Sequence, residues 1–134
     1  EGMCKGPANM KQQDMIYGSL EDQAKDPNSI YSFTKEVIRL RNTYPAIARG
    51  MTEILSSEDG DSQICGIHRR WEDSDVAMLF NISAEDRTVA MPEGYQLVDW
   101  VNATDAKNAV SEKDQILSLP AYSIAILSPD SGTK

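Results

Sequence analysis

The sequence predicts a mainly β protein, an antiparallel Greek-key β-sandwich preceded by one long amphipathic α-helix. Two observations carry that prediction. Residues Asp26 to Gly50, DPNSIYSFTKEVIRLRNTYPAIARG, hold apolar side chains at helical spacing. Everything after Gly50 breaks into seven or so short runs separated by turn residues, with no helical period between them. A single helix ahead of so many strands reads as a piece of something larger.

Residues 1–25 are irregular. Gly2, Gly6, Pro7 and Gly18 punctuate them, and Met10, Met15, Ile16 and Tyr17 keep no period, so the segment reads as a loop or linker with at most a turn of helix at Leu20 to Ala24. The long helix then opens with Asp26 as N-cap and Pro27 at the first helical position, where a missing N–H is harmless. Ile30, Phe33, Val37, Leu40 and Tyr44 form its apolar stripe, and Lys35, Arg39 and Asn42 its opposite face. Pro45 stops it, which predicts about 18 residues and roughly 27 Å of helix at 1.5 Å per residue.

Ala46 to Gly50 reads as a connection. The strands follow: Met51 to Leu55, Gln63 to Trp71, Val76 to Ile82, Arg87 to Met91, Tyr95 to Val101, Ile116 to Leu119 and Tyr122 to Leu127, before a solvated tail. Val76 to Ile82 is apolar on both alternating faces for most of its length, which marks a central strand. Asn102 to Asp114 reads as a polar excursion.

The chemistry-bearing residues are sparse. With 21 acidic against 13 basic residues the net charge is −8, and no basic cluster exceeds His68, Arg69 and Arg70, which argues against nucleic acid as a partner. No apolar run reaches the roughly 20 residues of a membrane span. The one histidine, His68, lies on a strand and reads as a surface or edge residue, with a catalytic role as the rarer alternative. The carboxylates of Glu58, Asp59 and Asp61, and those of Glu72, Asp73 and Asp75, sit in turns and read as solvated loops. Asp59, Gly60 and Asp61 begin like a calcium loop, but the later ligands are absent. Cys4 and Cys65 read as ordinary thiols, Cys65 part-buried, with a Cys4–Cys65 bridge as the alternative. Asn81-Ile82-Ser83 and Asn102-Ala103-Thr104 are glycosylation triplets that matter only in a glycosylating secretory pathway. Trp71, Trp100, Tyr95 and Tyr122 either fill the core or, if exposed and coplanar, stack on a sugar; Trp71 and Trp100 are the candidate substrate-binding residues.

The helix segment resembles the last barrel helix of the α-amylase superfamily, the family 13 glycoside hydrolases. Asp26, Pro27, Ser29, Ile30, Phe33, Lys35, Ile38, Leu40, Arg41, Tyr44, Pro45 and Ala46 carry that resemblance. Val76 to Ser83, Val89 to Pro92 and Leu119 to Leu127 resemble strands of the same family's C-terminal β-domain, domain C. The resemblance implies a division into residues 1–25 from the barrel's loops, 26–50 as last helix and connection, 51–128 as domain C and 129–134 as tail. It implies a retaining parent enzyme acting on α-glucans or malto-oligosaccharides, whose nucleophilic Asp, acid/base Glu and second Asp precede this segment, so no catalytic residue falls in this chain. The implied partner is an intramolecular catalytic (β/α)8 barrel, with α-glucan held by surface aromatics as the alternative role. No metal or cofactor is expected in this chain, calcium belonging to the rest of the parent if anywhere. The loop to Lys25 departs from the commoner family versions, which leaves the subfamily open; the compartment is open as well, an extracellular or cell-surface parent of bacterial type being one option.

Overall fold

The computed structural model describes residues 17–55, 61–103 and 109–129. Cys4, Met10, Met15, Ile16, the turn residues Ser57 to Gly60, Thr104 and the tail from residue 130 lie outside the described residues. The order of elements is α1 (Leu20–Lys25), α2 (Ile30–Thr43), α3 (Pro45–Arg49), β1 (Met51–Leu55), β2 (Ile64–Trp71), β3 (Ser74–Asn81), β4 (Arg87–Ala90), β5 (Tyr95–Asn102), β6 (Ser111–Lys113), β7 (Ile116–Leu119) and β8 (Ser123–Pro129).

The strands form two antiparallel sheets, one of five strands in the order β1-β2-β3-β8-β5 and one of three in the order β4-β7-β6. The five-stranded sheet is the middle of three layers. Ala77, Leu79, Ala125, Leu127 and Ile64 point to the small sheet and pack with Val89, Leu117 and Leu119. The alternate residues Val76, Met78, Ile126 and Val101 point the other way and pack with Leu40 and Ala46 of the helices. This double burial is why β3, flanked by β2 and β8, reads as apolar on both faces.

The helical layer differs from the sequence expectation in ways with local causes. Asp26 is the C-cap of α1, and Ser29 is the N-cap of α2, its hydroxyl accepting from the Ser32 N–H. The Asp26 carbonyl accepts from the Ser29 and Ser32 hydroxyls and its carboxylate from the Asn28 N–H, so Asp26 and Pro27 build the turn between two helices instead of starting one. Helix α2 is therefore 14 residues long. Pro45 ends it as expected but also opens α3 at a position where its ring costs nothing, so Ala46 to Gly50 is mostly helix and not a plain connection. Arg69 of β2 pins α3 by donating to the carbonyls of Ala46 and Gly50. Gly50 is required there, because a Cβ would sit 2.5 Å from the Ala46 carbonyl oxygen and 3.0 Å from the Arg70 backbone.

The excursion after Asn102 is not featureless either. Ser111–Lys113 forms β6 and pairs with β7 across Asp114 and Gln115, both at positive φ as a two-residue hairpin turn demands. Val110 just before it is buried in the core.

Candidate functional site

Among the described residues, polar side chains gather at three places. The first is a groove of about 600 Å³ between α1, α2 and the outer edge of β5, lined by Lys25, Phe33, Glu36, Arg39, Asp99 and Trp100 among others. Its floor is an ion pair. Arg39 donates from Nη1 to Asp99 Oδ2 at 2.7 Å and from Nη2 to Asp99 Oδ1 at 2.9 Å, while its Nε donates to Glu36 at 2.7 Å. Asp99 also accepts from the Tyr44 hydroxyl at 3.3 Å and the Trp100 N–H at 2.8 Å. Arg39 holds the Asp99 carboxyl below its usual range, enough to outweigh burial. Burial and the same carboxylate push the Tyr44 phenol up. Arg39, expected on the solvent face of the helix, instead ties α2 to the sheet edge.

A β-bulge makes that pairing possible. Leu97 faces Leu127 and Asp99 faces Ile126, so Val98 is an extra residue in β5. Leu97 and Trp100 consequently pack on the small-sheet side, whereas Asp99 and Val101 face the helices.

The second cluster surrounds His68. Its Nε2 lies 2.6 Å from Asp75 Oδ1 and its Nδ1 3.4 Å from Glu53 Oε2; the Tyr95 hydroxyl donates to Asp75 at 3.3 Å and Arg70 Nε donates to Asp75 at 2.9 Å. His68 is thus buried, not a surface residue, because strands on both sides supply carboxylates to it. Asp75 likewise leaves the solvated turn assigned to it, while Glu72 and Asp73 stay exposed. Burial disfavours the Asp75 carboxylate, but the bonds from His68 and Arg70 prevail and lower its pKa. Burial, then Asp75, raises that of Tyr95.

The third is Asn81, 2% exposed at the end of β3. Its Nδ2 donates to the carbonyls of Glu85, Leu119 and Pro120, and its Oδ1 accepts from the N–H and hydroxyl of Ser83. The Asn81-Ile82-Ser83 triplet is therefore a turn lock with no amide free for a sugar.

The aromatic candidates do not converge. Trp71 ends β2 and Trp100 lies on β5, with β3 and β8 between them, which separates the strands by roughly 14 Å at 4.8 Å each. Trp100 packs on the core, the Tyr95 hydroxyl is engaged by Asp75 and His68, and Tyr122 stands exposed at the start of β8. Cys65 is exposed, not part-buried. Asp61 lies 3.9 Å from Arg87 and accepts from the Gln63 N–H. Among the described residues no three His, Cys, Asp or Glu side chains are placed to hold a metal ion. No described helix is long and apolar enough to cross a membrane.

The carboxylates best held here are Asp99, with two bonds from Arg39, one from the Tyr44 hydroxyl and one from the Trp100 N–H, and Asp75, with bonds from His68, Arg70 and Tyr95. Such bonds hold strands and helices in register. The sequence did not expose the Arg39–Asp99 contact, whose partners are 60 residues apart. The signal for it was a charged residue, Asp99, inside the otherwise apolar run Leu97 to Val101.

No family model matches the chain. It is 24% identical over 111 residues to Alpha-amylase 3 of Dictyoglomus thermophilum, a match that takes in 83% of this chain and 21% of that protein. Its structure is similar to that of Eubacterium rectale Amy13B, with a TM-score of 0.81 and 33% identity over 95% of this chain and 25% of that one. It is also similar to an α-amylase from H. orenii, with a TM-score of 0.65 and 19% identity over 83% of this chain and 22% of that one. The chain spans about a fifth to a quarter of the length of each of these proteins.

Proposed function

From a chain that fits a C-terminal part of a family 13 glycoside hydrolase, we propose a non-catalytic accessory role: the chain braces the catalytic (β/α)8 barrel of an α-amylase-like retaining enzyme acting on α-glucans or malto-oligosaccharides. In this reading α2 is the last helix of the barrel and residues 51–128 are domain C. The observation that carries it is that α2 is apolar on two sides. Phe33, Val37, Leu40 and Tyr44 pack on the sheet, yet Tyr31 and Ile38 on another flank remain 40% and 51% exposed, and Ile30 at the margin of the stripe 55%. A surface helix needs one apolar stripe, and one with two is a wall shared between bodies.

Bracing is tested by deleting this chain from the longer polypeptide and melting what remains. A lower melting temperature and a loss of soluble, active enzyme are expected. A barrel that melts and hydrolyses glucan unchanged would overturn the role. The purified chain alone is expected to hydrolyse no glucan.

A further inference from the structure

The groove between α1, α2 and the outer edge of β5 holds more hydrogen-bonding capacity than the ion pair in its floor consumes. Arg39 commits three N–H groups to Asp99 and Glu36, which leaves two of the five on a guanidinium. Glu36 receives its bond from Arg39 through Oε2, so Oε1 remains an acceptor. Lys25 and Lys35 also line the groove, both exposed, and neither holds an ion pair among the described residues. The bulge at Val98 sets these groups in place. By turning Asp99 toward the helices it fixes the Arg39 guanidinium, which would otherwise swing free on the helix surface.

This composition selects an uncharged ligand. An anion is repelled by the Glu36 and Asp99 carboxylates and a cation by Lys25, Lys35 and Arg39, so neither sign of charge suits the whole lining. A polyhydroxyl ring suits all of it, because each hydroxyl both donates and accepts. The C–H faces of such a ring need apolar neighbours, and Pro27 and Phe33 line the same groove. A volume of about 600 Å³ has room for a short oligosaccharide and lies inside the roughly 300–1,000 Å³ of small-molecule sites.

We propose that this groove binds a short stretch of α-glucan, with Lys25, Lys35 and Arg39 donating to its hydroxyls and Glu36 accepting from them. The choice of α-glucan among neutral polyols rests on the accessory role proposed above, whose parent enzyme acts on such chains. The Arg39–Asp99 pair then has two tasks. It ties α2 to the sheet edge, and it holds the guanidinium ready for a ligand, so that less side-chain freedom is lost on binding.

Titration of the isotope-labelled 134-residue chain with maltotriose, followed by amide NMR, tests the site. The amides of Lys25, Glu36, Arg39 and Asn102 should shift with half-saturation at about 1–10 mM, while those of His68 and Trp71 stay in place. The double variant Lys25→Ala, Lys35→Ala, changed at two exposed positions, should bind about tenfold more weakly with the rest of its spectrum unaltered. Cellotriose, which carries similar hydroxyls on a β-linked chain, should bind more weakly than maltotriose. No shift at about 50 mM maltotriose, shifts centred outside the groove, or undiminished affinity in the lysine variant would overturn the site. Equal binding of cellotriose would overturn the α-glucan assignment. All these outcomes leave the bracing role standing, because that role is read from the melting of the barrel with and without this chain. A barrel indifferent to the deletion, beside a groove that responds to maltotriose, would overturn the role and not the groove.

Discussion

Breaking the Arg39–Asp99 pair tests whether α2 is clamped to the sheet edge by charge or only by its apolar stripe. The side chains are 40% and 20% exposed, between the solvated and the buried cases. Exposed pairs contribute roughly 0.2–1 kcal/mol, and hydrogen bonds to charged groups in drier sites about 1.5–3 kcal/mol. A double-mutant cycle of Arg39→Met and Asp99→Asn should therefore give a coupling of about 1–2 kcal/mol, near 4 °C in melting temperature per kcal/mol. The single variants should be unequal. Arg39→Met strands a carboxylate that keeps only the Tyr44 hydroxyl and the Trp100 N–H, whereas Asp99→Asn leaves Arg39 with Glu36 and water. Arg39→Met should cost more. Because the folded-state pKa of Asp99 is lowered, its stabilisation is complete above the unfolded value of about 3.9 and is lost as pH falls through the folded value. Urea unfolding at neutral pH and at about pH 3 reads both effects, and the gap between wild type and Asp99→Asn should shrink only on the acid side of that window. A coupling below about 0.3 kcal/mol at neutral pH would refute the clamp, because that is the noise of additivity between unconnected sites.

Three further outcomes follow from contacts already described. Gly50→Ala should destabilise by about 2 kcal/mol or more in thermal unfolding, since the new Cβ meets backbone atoms that cannot swing away. His68→Ala should cost about 1–3 kcal/mol by leaving Asp75 to Arg70 and Tyr95, and the loss should be smaller at acid pH, where the lowered pKa of Asp75 is finally crossed. Asn81→Ala should cost about 1–3 kcal/mol by urea denaturation, because the Leu119 carbonyl loses its side-chain donor while those of Glu85 and Pro120 fall back on Ser83 and Ser123. Ser83→Ala, which spares Asn81 Nδ2, should cost clearly less.

Local patterning made most of the sheet framework readable from sequence. β1 and β7 have the expected bounds because turn residues flank apolar runs on both sides, and β3 could be placed in the middle because Val76 to Phe80 has no polar face. What stayed hidden depends on partners distant in sequence. β6 is three polar residues whose strand conformation comes from pairing with β7. Capping preference placed the start of α2 at Asp26, but α1 takes Asp26 as its C-cap and Ser29 becomes the N-cap of α2. Strict alternation from Tyr95 places Asp99 with Leu97 and Trp100 on the other face, and the bulge at Val98 reverses both. That reversal put the aromatic candidate into the core and brought an unforeseen carboxylate under Arg39. His68 looked superficial because neither Glu53 nor Asp75 is near enough in sequence to announce itself as a partner.

The strand order also sets a timetable for synthesis. β1, β2 and β3 can zip together as each emerges, but the other edge of β3 is paired by β8, the last strand among the described residues. Until residues 123–129 have left the ribosome, the most apolar strand of the chain has one open edge, and Asn81 lacks the Leu119 and Pro120 carbonyls that bind it. Folding of the nascent chain is thus held incomplete through some 40 further residues, at about 5–20 residues per second of translation. Chains that stop short of β8 would present β3 as a ready template for pairing with one another.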